Sequence, residues 1–97
     1  MTTSRARAVL FTKKGCLPCL KTKDLLNQLL TDSPDLGDVV SIMWKENHSA
    51  LVESYNLELY PTLLIIDEEG TAVGRIVGGQ LVRSVLPGVL TTLGALS

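Results

Sequence analysis

The sequence predicts one α/β domain spanning residues 1–97, with a four-stranded mixed sheet and three helices packed on its two faces in the order β-α-β-α-β-β-α. Three observations carry this reading. Short runs rich in β-branched residues alternate with leucines at i,i+4 spacing, so the hydrophobic period switches from strand to helix and back. The segment Thr62-Leu63-Leu64-Ile65-Ile66 is apolar almost throughout, as a strand covered on both faces would be. Finally, 97 residues with 45% hydrophobic content suffice for one core and are too few for two.

Ala8-Val9-Leu10-Phe11-Thr12 reads as a strand stopped by the turn residues Lys13-Lys14-Gly15. From Cys16 to about Thr31 the pairs Leu25/Leu29 and Leu26/Leu30, with Leu17/Leu20 three apart, give helical spacing; Pro18 is tolerated in the first turn, where its missing N–H has no partner to lose. Residues 32–38 form a loop and Val39-Val40-Ser41-Ile42-Met43-Trp44 a second strand, completing a βαβ unit with parallel pairing. Asn47 or Ser49 is expected to cap a short helix over residues 50–55. The apolar strand at 62–66 should be central. Asp67-Glu68-Glu69-Gly70 turns the chain into an antiparallel edge strand over residues 71–77, weakened by Gly74. The last helix, Gln80 to about Leu96, keeps its spacing through Leu81, Val85, Leu86, Val89, Leu90 and Leu93. Pro87-Gly88 inside it predicts a kink or break near Leu86.

No apolar run precedes a small-residue cleavage site at the N-terminus, and nowhere do roughly eighteen apolar residues follow one another. A cytoplasmic monomer without membrane contact is expected. Arg5, Arg7, Lys13, Lys14, Lys21 and Lys23 all precede the first acidic residue, Asp24; the 10 acids that follow face only Lys45, Arg75 and Arg83. An uneven split of this kind is often no more than a solvated surface, but it also suggests a positive rim near the cysteines. The basic stretch is short and carries no interleaved aromatic set, so nucleic acid is not an expected partner.

The 2 cysteines stand three apart, in Gly15-Cys16-Leu17-Pro18-Cys19 at the strand-to-helix junction. A dithiol exchange enzyme attacks a foreign disulfide with one thiolate and expels the mixed disulfide with a second thiol. At a helix start the free amides and the positive end of the dipole favour a Cys16 thiolate, with Cys19 one turn further in as the resolving thiol. Chance spacing, half of a zinc site and a cluster ligand pair are the alternatives. Zinc takes four ligands, and beyond the cysteines only His48 and carboxylates could contribute, so no metal is expected. Trp44 and Tyr55 read as core or supporting aromatics, and His48 as an exposed residue near a helix start.

In three separated places the chain resembles the thioredoxin superfamily: Cys16-Leu17-Pro18-Cys19, Tyr60-Pro61-Thr62-Leu63-Leu64-Ile65, and Val77-Gly78-Gly79 before the last helix. The resemblance implies the minimal thioredoxin fold. It also implies a cis Pro61 facing the Cys16 sulfur, supported by Gly15, Leu17 and Pro18, and a substrate groove lined by Tyr60, Thr62, Gly78 and Gly79, with the Tyr60 backbone available to a substrate chain. The chain departs from thioredoxins in having Gly15 and Leu17 where the family has tryptophan and glycine. Leu10 and Ser41 stand where the family has a buried aspartate and lysine. Glutaredoxins share the smaller outline and the paired glycines, but Leu17-Pro18, Tyr60 and Gln80-Leu81-Val82 do not match them.

The resemblance and the cysteine spacing together imply a reductase of protein disulfides that binds no cofactor and draws reducing equivalents from a thioredoxin-reductase-like flavoenzyme or from glutathione. A glutathione-dependent glutaredoxin-type reductase is the first alternative, and a non-catalytic interaction module of the same fold the second.

Overall fold

Burial along the first strand decides the layers. In β1 (Arg7–Thr12) every residue from Ala8 onward is buried, and successive side chains alternate between the two faces of the sheet. Ala8 and Leu10 join a core with Leu26, Leu63, Val82, Leu86, Leu90 and Leu93, whereas Val9 and Phe11 join a smaller one with Leu57 and Leu64. The structure, a computed structural model, describes residues 6–96; residues 1–5 and 97, and with them the basic residue Arg5, lie outside the described residues.

The remaining elements are α1 (Leu17–Asp32), β2 (Val40–Trp44), α2 (Ser49–Ser54), β3 (Thr62–Ile66), β4 (Ala72–Val77) and α3 (Gly79–Leu96), with short 3-10 turns at Pro34–Asp38 and Lys45–Asn47. The sheet order is β2-β1-β3-β4; β1 pairs parallel with β2 and antiparallel with β3, and β3 pairs antiparallel with β4. Helices α1 and α3 supply the larger core, through Leu26 and through Val82, Leu86, Leu90 and Leu93. Leu51 and Val52 of α2 pack on the opposite face. The architecture is therefore the minimal thioredoxin fold expected from the sequence, with β3 an inner strand and β4 an edge.

Two local expectations are corrected. The last helix does not break near Leu86: α3 runs unbroken from Gly79 to Leu96 with Pro87 inside it. A mid-helix proline costs about 3 kcal/mol, but Val82, Leu86 and Leu90 are fully buried on either side of it, and each contributes about 1.5–3 kcal/mol by burial. Pro87 itself lies on the exposed side, so its ring displaces no core residue. The second correction concerns α2. Neither Asn47 nor Ser49 caps it; the 3-10 turn absorbs Asn47, and His48 takes the cap position without a side-chain bond. His48 is half-buried as a result, not exposed.

Strand register places the site. Thr12 pairs with Trp44, Phe11 with Thr62, and Thr62 with Val77. The C-terminal ends of β1, β2 and β4 thus meet the N-terminal end of β3 at one edge of the sheet, and the segments carrying the cysteines, Lys45-Glu46, Tyr60-Pro61 and Gly78-Gly79 all emerge there.

Candidate redox site

Cys16 is the N-cap of α1, in extended backbone conformation, and its Sγ accepts a hydrogen bond from the Cys19 N–H at 3.2 Å. That bond satisfies one of the amides that every helix start leaves unpartnered. Pro18 follows in the first turn, where its lack of an N–H breaks no bond. One helical turn brings the two Cα atoms to 5.2 Å, and the cysteines are joined as a disulfide. Cys16 is 7% exposed and Cys19 only 1%, so the first cysteine is the more accessible of the two. Both the helix dipole and the capping amide favour negative charge on Cys16.

The segment before β3 faces this pair. The Tyr60–Pro61 peptide bond is cis, Pro61 is buried, and the Tyr60 carbonyl oxygen lies 3.8 Å from Cys16 Sγ, a separation that suits S–H donation in the dithiol state. Thr62, expected to bind substrate, is 1% exposed and its hydroxyl donates to the Leu59 carbonyl at 2.6 Å. Its side chain fixes the turn before Pro61 and leaves the backbone of Leu59 and Tyr60 to line the surface. Leu17, next to Cys16 in the chain, and Leu59, next to Tyr60, are 62% and 64% exposed.

The third segment closes against the first. The Gly78 N–H donates to the Pro61 carbonyl at 2.9 Å, and Gly78 adopts φ +97°, which an L side chain disfavours. Gly79 is buried against Pro18, where even a Cβ would collide. Gly15 takes φ +67° and lets the chain turn from β1 into the capped helix. Cys16, Cys19, Gly15, Leu17, Pro18, Tyr60, Pro61, Gly78 and Gly79 are therefore brought together, with Thr62 beneath them.

Sequence reasoning missed several neighbours. Arg83, the only charged residue of α3, donates to the Pro18 carbonyl at 3.3 Å and to Thr22 Oγ1 at 3.4 Å, while Thr22 Oγ1 donates to the same carbonyl at 2.8 Å. Trp44 belongs to neither core cluster; it is half-buried at the site edge, with Lys23 Nζ 3.9 Å from its ring centroid. Lys13 and Lys45 place their Nζ atoms 5.8 Å and 5.6 Å from the Tyr60 centroid. The Lys14 N–H donates to Glu46 Oε2 at 3.2 Å, and backbone hydrogen bonds, Glu46's own and then that of Lys14, hold the Glu46 carboxyl below its ordinary range. Tyr60 shifts the other way: burial raises its phenol, and the Glu46 charge adds to the effect. Tyr55 packs against the smaller core as expected, and its hydroxyl donates to the Gly70 carbonyl at 2.6 Å. Leu10 is fully buried among apolar residues, and Ser41 accepts from Arg7 Nη2 at 2.7 Å, so neither stands in for the charge pair absent from the sequence. Among the described residues no group of three or more His, Cys, Asp and Glu is placed to hold a metal ion. Among them, too, no helix is long and apolar enough to cross a membrane.

Most of the chain superposes on solved thioredoxins. The thioredoxin of Malassezia sympodialis (Mala s 13) matches with a TM-score of 0.72 at 20% identity, over 93% of this chain and 76% of that one. This chain has the thioredoxin fold. Oxidised thioredoxin from Plasmodium falciparum matches at TM-score 0.71 and 19% identity, over 93% and 82% of the two chains. The thioredoxin of Fasciola hepatica matches at 0.68 and 21%, over 91% and 80%. No protein-family model matches the sequence, and no curated protein matches it. At such identities the likeness is one of fold, and function has to be argued from the site. A cysteine pair at disulfide distance on the thioredoxin fold supports a thiol–disulfide oxidoreductase.

Proposed function

We propose that this protein reduces protein disulfides by dithiol exchange, with Cys16 as nucleophile and Cys19 as resolving thiol. The observation that carries the reading is the asymmetry of the pair: Cys16 caps α1 and is the more accessible at 7% exposure, whereas Cys19 is 1% exposed one turn below it. In the dithiol form the Cys16 thiolate attacks one sulfur of the substrate disulfide. That S–S bond breaks, the second substrate sulfur leaves as a thiolate and is protonated by water, and Cys16 is left in a mixed disulfide. Cys19 then gives its proton to water, since Leu10 offers no carboxylate, and attacks Cys16 Sγ. The mixed disulfide breaks, the first substrate sulfur departs, and the Cys16–Cys19 bond forms. Two electrons pass from the protein to the substrate.

Tyr60, beside the attacked sulfur, would present its backbone to the substrate chain, and Gly78, with open space where a Cβ would go, would keep the groove clear. Gly79, in contrast, is buried against Pro18 and packs α3 on α1 without lining the groove. A cytoplasmic setting makes reduction the working direction. The electrons return from a thioredoxin-reductase-like flavoenzyme or from glutathione, and no cofactor is bound.

A coupled assay on a protein disulfide, run with each reducing system, tests the proposal. Cys16→Ser should abolish turnover, and Cys19→Ser should accumulate a mixed disulfide visible by intact mass. Multiple turnover by Cys19→Ser would instead establish a monothiol, glutathione-dependent route. Inactivity of the wild type with both systems would overturn the reductase reading.

A further inference from the structure

Three lysine ammoniums are seated on aromatic rings beside the disulfide: Lys13 and Lys45 on Tyr60, and Lys23 on Trp44. Both rings belong to residues already held at the site, Tyr60 through its carbonyl near Cys16 Sγ and Trp44 through its pairing with Thr12 at the end of β1. The cations come from three separate segments, and the chain neighbours Trp44 and Lys45 link the two rings into one band. Beside Trp44 lies a depression lined by Lys14, Trp44, Glu46 and Asn47. Within the band the acidic side chain is Glu46, set against Lys13, Lys14, Lys23 and Lys45, so the band remains positive.

An ammonium paired with a carboxylate loses its charge to a partner, whereas one seated on a ring is positioned while its charge stays available to an incoming anion. Much of the ordering that a bound partner would demand is then already in place. We propose that this band selects substrates whose reducible disulfide is flanked by acidic residues. The inference rests on the reductase reading above and goes beyond it by naming a substrate class. An acidic protein segment fits better than nucleic acid, because ammoniums occupy the ring faces on which bases would stack and because the band adjoins a sulfur whose chemistry needs a disulfide.

The test uses the reduced full-length protein and three peptides, each with one disulfide, identical except for two residues beside a cysteine: Glu, Gln or Lys. The Glu peptide should be reduced about tenfold faster than the Gln peptide, and the Lys peptide more slowly than either. The preference should shrink as ionic strength rises from about 0.02 M to about 0.5 M. Lys13→Gln combined with Lys45→Gln should bring the Glu-to-Gln rate ratio close to one, whereas Lys21→Gln, on the exposed face of α1, should leave it in place. Equal wild-type rates for the Glu and Gln peptides, or a ratio that survives in the double variant, would overturn the proposal. So would inhibition by a single-stranded oligonucleotide but not by a cysteine-free acidic peptide, which would reassign the band. Exchange with none of the peptides would overturn the reductase reading itself, an outcome distinct from exchange without charge preference.

Discussion

Gly79 lies so close to Pro18 that a Cβ at position 79 would stand 2.8 Å from the proline Cβ. The Arg83 Nη1 atom would be equally near, but a flexible guanidinium can move and a ring at the first turn of α1 cannot. Gly79→Ala should therefore lower the unfolding free energy by about 1–3 kcal/mol through overpacking, read as a lower urea midpoint. An unchanged midpoint would show that α1 and α3 separate here without cost.

Arg83 ties the same two helices through the Pro18 carbonyl and Thr22. Removing the guanidinium in Arg83→Met should cost about 1–2 kcal/mol, while Thr22 keeps its own bond to Pro18. Equal stability of the two proteins in urea would mean that the contact contributes nothing net.

The helix-cap position and slightly greater exposure of Cys16 predict unequal reactivity of the two cysteines. In the reduced protein iodoacetamide should modify Cys16 at least about tenfold faster than Cys19, since thiolate character and access govern the rate. Peptide mapping after short exposure reads the order, and parity between the sites would contradict the assignment of the nucleophile.

Tyr60 offers a pH test. Burial, followed by the Glu46 charge, raises its phenol above the usual value. The protonated form is thus favoured in the folded protein, and the associated stability is fully present below the ordinary ionisation pH of about 10 and lost as pH rises through the raised value. A late component of tyrosinate absorbance should be present in the wild type and missing in Tyr60→Phe. Its survival in the variant would exclude Tyr60 as its source.

Gly88 stands inside α3 with open space where a Cβ would go. Gly88→Ala should raise stability by about 0.5–1 kcal/mol, because alanine leaves less chain freedom to lose on folding. A lower thermal midpoint would show that the helix needs a glycine beside Pro87.

Features decided by neighbouring residues could be read along the chain. Strand β3 announced itself at its observed bounds through five consecutive apolar or β-branched residues, and the Cys16-Cys19 spacing needed only one helical turn to become a site. Pro61 and the paired glycines were legible through resemblance, as segments fitting a known groove. Pro87 does not break α3 because helix propensity is local, whereas the burial of Val82, Leu86 and Leu90 depends on strands far away in sequence. Residue type alone leaves Trp44 as either a core or a supporting aromatic. Its place at the site follows from the pairing of Thr12 with Trp44, a register that no short window contains. Arg83 was hidden for the same reason: its partner Pro18 lies 65 residues earlier.

The pairing of Phe11 with Thr62 links chemistry to assembly of the fold. Cys16 follows β1 and Pro61 precedes β3, so a slip of one residue between those strands would carry the sulfur about 3.3 Å along the sheet and exchange the two faces of a strand. A misassembled chain could still bury leucines and still close a bond within Cys16-Leu17-Pro18-Cys19, yet it would hold that bond away from Tyr60. Competence to exchange with a substrate, unlike mere possession of the disulfide, would therefore report correct strand alignment.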